Sequence, residues 1–324
     1  AKVDSSPESC TSSPKDELYG VTFQVSTSRA DFESKYRELH KLGSGGFGSV
    51  FAGERLDDAC NVIKCFGVQV QNGVEHQLIN EVAIMVKVSQ GNCPAVVSLL
   101  DCYELPEEVI LVMERPVPSM DLHDYKEFHG GVLEEEEAKV ILRQMVEASI
   151  QMHNSNVFHR DLKLKNILVE TDHSYPKVRV IDFGCGCLVK EVIKCKKYTP
   201  PEWHSSKGYS AEPTTVFHLG ALLYSLLHRT SFHTLFYVAR IKGFKWGLSE
   251  KCRHFLKSCL AENPDDRPSL EELLRYHYSC SASCLTLTAH LCTECRGHKA
   301  AHSLFCTLRA AVITCDCHME CTNI

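Results

Sequence analysis

Between Tyr36 and Met113 apolar residues alternate with polar ones and are punctuated by turn-forming residues, the period-two pattern of half-buried strands. One stretch breaks the alternation. Leu78-Ile79-Asn80-Glu81-Val82-Ala83-Ile84-Met85 has helical spacing, so this region predicts a small twisted sheet with one helix. Beyond it the period changes. Leu133–His153 reads as a long amphipathic helix whose acidic first turn, Glu134–Glu137, suits the positive end of the helix dipole. Its residues Val140, Ile141, Met145, Ala148 and Met152 recur at helical spacing and are assigned to the core. Val157–Asp182 reads as a short strand pair around a polar loop, and Pro213–Leu227 and Ser249–Cys259 as buried helices. Residues 1–35 carry Ser5-Ser6-Pro7 and Thr11-Ser12-Ser13-Pro14; this polar, Pro/Ser-rich segment predicts disorder.

Composition narrows the classes. A chain of 324 residues accommodates one domain of about 250 residues with tails. Its formal charge of −6 offers no global basic field for nucleic acid or an anionic membrane. No apolar run reaches the roughly 18 residues of a membrane span, and Ala1–Gly20 has no signal-peptide apolar region, so cytosol or nucleus is expected. Eighteen cysteines in so long a chain are read as reduced thiols within the domain.

Chemistry is concentrated in the polar loop. His159-Arg160-Asp161-Leu162-Lys163-Leu164-Lys165-Asn166 is followed sixteen residues after Asn166 by Asp182-Phe183-Gly184. This is the spacing a phosphoryl-transfer enzyme needs: Asp161 to accept the proton of an attacking hydroxyl, Asn166 and Asp182 to hold magnesium. HRD alone is a weak signal; with the Asn and DFG at these distances it is strong. Upstream, Leu42-Gly43-Ser44-Gly45-Gly46-Phe47-Gly48-Ser49-Val50 carries a G-x-G-x-x-G-x-V pattern, in which glycines let a hairpin backbone approach phosphates. A Rossmann reading is disfavoured because Ser49–Gly53 continues as a strand and no helix begins. Lys64 ends the apolar run Val62-Ile63-Lys64, where it would pair the α- and β-phosphates, and Glu81 is its natural ion-pair partner.

With these motifs in order, the chain resembles a eukaryotic protein kinase over residues 36–279. Glu114-Arg115-Pro116-Val117-Pro118 at the end of an apolar strand, with Pro200-Pro201-Glu202-Trp203, is similar to the Pim family of serine/threonine kinases. The resemblance implies an α+β, two-lobed fold: a β-rich N-lobe over 36–113 and a helical C-lobe over 117–279. It implies ATP and Mg2+ as cofactors, protein substrates with serine or threonine acceptors, and a monomer. Catalytic roles fall to Asp161, Lys163 and Lys64, and metal binding to Asn166 and Asp182. Nucleotide would lie under Leu42, Gly43, Ser44, Gly45, Gly46, Phe47 and Gly48, between Val50 and Val62 above and Leu168 below, with Glu81 steadying Lys64. Pro116 has no N–H to offer adenine, so the Glu114 carbonyl would hold the base. Asp121 and Asp124 would face basic residues of the substrate, and Arg267 would pair with Glu202.

Three departures temper this. Lys165 stands where the family has an acidic residue and would weaken a preference for basic substrates. Val62 replaces a small alanine and narrows the adenine slot. The segment from Asp182 to Glu202 spans 21 residues and is about five shorter than the resemblance leads one to expect, Lys194-Cys195-Lys196-Lys197 standing where a Gly-Thr is usual. No Ser, Thr or Tyr lies between Gly184 and Lys197 for phosphorylation to act on. A pseudokinase, binding nucleotide or acting as a scaffold, is therefore the alternative to an active enzyme. Residues 280–324 hold eight of the eighteen cysteines, Cys292-Thr293-Glu294-Cys295 and Cys315-Asp316-Cys317-His318 among them. They read as a poorly ordered or aberrantly spliced extension, with a zinc module as the other reading.

Overall fold

The alternation from Tyr36 onward folds into one sheet. The computed structural model describes residues 25–45, 48–68, 74–91, 93–106, 108–189, 200–206, 208–234 and 247–275; for residues 45, 61, 63–68, 74–80, 205 and 206 it describes backbone alone. The strands are β1 (Val25–Ser26), β2 (Tyr36–Gly45), β3 (Gly48–Arg55), β4 (Asn61–Val68), β5 (Leu99–Glu104) and β6 (Glu108–Glu114). Their order across the sheet is β1-β5-β6-β4-β3-β2. All pairings are antiparallel except β1 on β5. β2 and β3 form a hairpin in which Gly43 faces Val50 and Gly45 faces Gly48. Gly48 has φ +138°, a conformation that side-chain-bearing residues avoid. The glycine-rich stretch is therefore the tip of a hairpin and no dinucleotide-binding turn.

The predicted disordered segment is corrected at its end. Residues 25–35 form β1 and the helix α1 (Arg29–Lys35). Ser28 caps α1 by accepting the Asp31 N–H at 3.1 Å. Phe32, 4% exposed, packs against the rings of Tyr36 and Tyr103 at 5.7 and 5.3 Å. One buried aromatic anchors the segment against the sheet, a long-range contact that the polar local composition hides.

Helix α2 (Val74–Gln90) buries Ala83, Ile84, Met85, Val86 and Val88 and packs against β5. Downstream lie β7 (Ser119–Asp121), α3 (Leu122–Phe128), α4 (Glu135–Asn154), β8 (Val157–Phe158), β9 (Ile167–Glu170), β10 (Lys177–Val180) and β11 (Cys187–Leu188). Helices α5 (Trp203–Ser206) and α6 (Ala211–Leu227) follow, then helices Glu250–Cys259 and Leu270–Arg275. α4 matches its sequence reading to within two residues at each end and buries Ile141, Met145, Ala148 and Met152 as expected. Val140 stays half-buried. α6 is buried on nearly every face and packs on both α4 and helix Glu250–Cys259. A Cβ at Gly220 would lie 2.7 Å from the Cys259 Cβ, so only glycine permits this approach.

Two small ladders position the polar loop: β10-β9-β7 and β11-β8. Val180 donates to the Ala95 carbonyl at 2.7 Å and accepts from the Val97 N–H at 3.2 Å, tying the segment after α2 to the strand that leads into Asp182. Lys194-Cys195-Lys196-Lys197 and the cysteine-rich stretch 280–324, with both readings of it, lie outside the described residues.

Candidate active site

The loop between β8 and β9 alternates apolar anchors with functional groups. Leu162 and Leu164 are buried, and before, between and after them come Asp161, Lys163, Lys165 and Asn166, the last closing a 3-10 turn Leu164–Asn166. His159 fixes the loop from behind. One ring nitrogen, Nε2, lies 3.2 Å from the Ile181 carbonyl, which can only accept. The other, Nδ1, takes the Asp161 N–H at 3.2 Å. Both bonds are made only by a neutral ring protonated at Nε2, and burial pushes its pKa down to match. The same ring lies 4.7 Å from that of Phe183.

Asp161 is 4% exposed, and one carboxylate oxygen, Oδ2, carries the bonds. It accepts Lys163 Nζ at 2.6 Å and Asn166 Nδ2 at 2.9 Å. Asn166 Nδ2 also donates to the Asp161 carbonyl at 3.0 Å, which orients the amide and leaves its oxygen as the ligating atom. Asp182 accepts the Gly184 N–H at 3.2 Å. Arg160 and Asp182 have φ of +67° and +66°, rare for residues with side chains. Each strained residue costs on the order of 1–3 kcal/mol and persists where its surroundings dictate it. Here Arg160 donates to the Cys185 carbonyl, and Ile181 N–H binds the Asn166 carbonyl at 3.0 Å.

From α2, the Glu81 carboxylate accepts the Phe183 N–H beside Asp182. Burial, then the Asp182 charge, pushes the Glu81 pKa up to about 7. A raised carboxyl binds its proton more tightly folded than unfolded, so its stabilising contribution is complete below about pH 4.5 and lost as pH rises to about 7. Wild type should therefore lose stability relative to Glu81→Gln across that window, by up to about 1.4 kcal/mol per pH unit, in paired thermal melts. A constant difference between the two proteins would refute this.

The remaining expected residues fall as follows. The Lys64 backbone stands opposite Val112 on β6 and Phe51 on β3; its side chain, and so its pairing with Glu81, lies outside the described residues, as do Gly46 and Phe47. Gly43, Ser44, Gly45 and Gly48 flank the hairpin tip, Val50 is half-buried and Leu42 exposed. Leu168 sits half-buried on β9, opposite Asp121. Val62 is 1% exposed and packs with Phe32, Tyr36, Tyr103, Ile110 and Val112, so its bulk serves the sheet rather than an open wall. Glu114 ends β6, its N–H on the Ser98 carbonyl at 2.9 Å. Asp121 and Asp124 are brought together, and Lys165 lies on them at 3.0 and 2.7 Å.

One residue escaped the sequence reading. Arg179, 8% exposed in β10, donates to the Glu114 carboxylate, to Glu170 at 3.2 Å and to the Val96 carbonyl at 3.2 Å. It clasps the end of β6, the segment after α2 and β9 together. A cation inside the apolar run Val178-Arg179-Val180-Ile181 was the available signal.

Residues 36–279 match the protein kinase domain, and with an HRD aspartate, amide and DFG aspartate in this arrangement the chain belongs to the protein kinase family. Over 272 residues it is 35% identical to the serine/threonine-protein kinase pim-2 of Danio rerio, covering 78% of this chain and 87% of that one. Prk-2 of Caenorhabditis elegans, also a serine/threonine-protein kinase, is 30% identical over 76% of this chain and 58% of its own. Calcium/calmodulin-dependent protein kinase type 1B of Homo sapiens is 28% identical over 76% and 75%. This is a serine/threonine protein kinase of the Pim-like type, and its relatives give the pseudokinase alternative no support.

Proposed function

We propose that the chain transfers the γ-phosphoryl group of ATP, with Mg2+, to serine and threonine hydroxyls of protein substrates through the residues assembled above. The observation that carries this reading is the buried Asp161 carboxylate, bonded on one oxygen by both Lys163 and Asn166. Its other oxygen takes none of the hydrogen bonds described and is left to orient a substrate hydroxyl and receive its proton. Lys163, bonded to the first oxygen, brings a charge that would offset the negative transferring group. Asn166 and Asp182 supply hard oxygen donors, the ligand type magnesium takes, and the amide orientation frees the right atom. The metal would supply charge neutralisation at the phosphates. Lys64, steadied by Glu81, would pair the α- and β-phosphates, the glycine hairpin would cover them, and the Glu114 carbonyl would meet adenine because Pro116 has no N–H.

We further place the protein as a monomer in cytosol or nucleus, acting on proteins rather than on nucleic acid or membrane. The net charge of −6 and the buried thiols Cys93, Cys102 and Cys259 support this reading. Among the described residues no helix is long and apolar enough to cross a membrane.

The test is transfer of γ-labelled phosphate from ATP to serine and threonine peptides. Label should appear on the hydroxyl amino acids with magnesium and vanish on chelation. Nucleotide-induced stabilisation without transfer at any metal concentration would overturn the assignment.

A further inference from the structure

Asp121 ends β7 and caps α3, one oxygen accepting the Asp124 N–H at 2.9 Å. The cap holds two carboxylates a turn apart at the rim of the catalytic loop, where they repel each other and attract a cation. The cation comes from within the chain. Leu164 and Asn166 are buried, so the 3-10 turn leaves position 165 facing outward, and the β7–β9 pairing brings it to the carboxylates. Lys165 Nζ lies 3.0 Å from Asp121 Oδ2 and 2.7 Å from Asp124 Oδ1. That hydrogen bond holds the Asp124 carboxyl below its usual range and the Lys165 ammonium above its own.

We propose that Lys165 is a specificity-determining residue: it fills the Asp121–Asp124 pair as a substrate's basic side chain would, and so removes selection for a basic residue at the substrate position facing the pair. The proposal rests on the reading of this site as one that binds a peptide across Asp161. An exposed ion pair is weak taken alone. The lysine, however, is tethered to the loop and competes at an effective concentration on the order of millimolar, which an incoming arginine must exceed. On this reading Lys165 weakens the preference for basic substrates by occupying the subsite itself. A lysine acting only as a strut between loop and helix would alter stability and total rate, and would leave discrimination between peptides untouched.

The experiment compares the full chain with Lys165→Ala and Lys165→Glu on serine peptides that carry arginine or alanine at successive positions N-terminal to the acceptor. In wild type the arginine-to-alanine ratio of kcat/KM should stay within about threefold at the position that responds to substitution of Lys165. At one position it should rise about fivefold in Lys165→Ala and tenfold or more in Lys165→Glu. Adding Asp121→Asn and Asp124→Asn to Lys165→Ala should return it to the wild-type value. A wild-type ratio above tenfold, or one unmoved by Lys165→Glu, overturns the proposal. Fluorescence anisotropy with the same peptides bearing alanine at the acceptor reads the ratio as affinities. If no form transfers phosphate, tighter arginine-peptide binding by Lys165→Glu still upholds the role of Lys165 while the reading of the chain as an active enzyme falls, and unchanged affinity overturns the proposal.

Discussion

Asp161→Asn will lower kcat by at least 10²- to 10⁴-fold while the protein stays folded and still binds nucleotide. The substitution keeps size and shape, so the packing around a residue 4% exposed is preserved. What changes is chemistry. An amide cannot accept the hydroxyl proton, and the oxygen that now receives Lys163 Nζ and Asn166 Nδ2 loses its negative charge. Lys163 and Asn166 then hold a weaker partner, so the loop loosens where a misplacement of about 1 Å can cost 10²-fold. The loss should therefore fall on kcat, with the KM for ATP nearly unchanged, in steady-state assays beside thermal melts. Activity within tenfold of wild type would mean that another group takes the proton.

Arg267→Ala should destabilise the protein by about 3–5 kcal/mol. The guanidinium side chain is fully buried and satisfies all five of its N–H groups. Two bond Glu202, at 3.1 and 2.6 Å. Three bond the carbonyls of Ala261, Pro213 and Glu262 at 2.9, 3.0 and 3.3 Å. The guanidinium carbon also lies 4.9 Å from the centre of the Phe217 ring. Truncation takes both guanidinium bonds from a carboxylate that is 8% exposed and the donor from three carbonyls, and removing one partner of a buried ion pair is what makes such losses large. Arg267→Lys should recover only part, since a single ammonium cannot match a planar fork. Urea denaturation gives the numbers, and a loss below 1 kcal/mol for the alanine variant would contradict the account.

Much of this was legible in the chain because its signals are local. The HRD and DFG spacings, the hairpin glycines and the 3.6-residue period of α4 each lie within one short window. The resemblance paired Arg267 with Glu202, but no local pattern could have done so. What escaped depends on distant partners. Phe32 sits in a polar stretch, and the place where it buries is built largely by distant residues, Tyr103 seventy-one positions on among them. Arg179 finds Glu114 sixty-five residues away, and Val96 eighty-three. For Lys165 the sequence shows a change of sign and not the neighbours that receive it. Contact with Asp121 arises from a strand pairing that leaves no period to read.

The burial of α6 has a consequence for biosynthesis. α4 buries Ile141, Met145, Ala148 and Met152 and packs on α6, which does not yet exist when α4 leaves the ribosome. Residues 155–210 must be translated before α6 begins, and at roughly 5–20 residues per second that is an interval of several seconds. Throughout it the nascent chain carries an apolar stripe that α6 does not yet cover, the kind of exposed surface that makes an incomplete chain prone to aggregate.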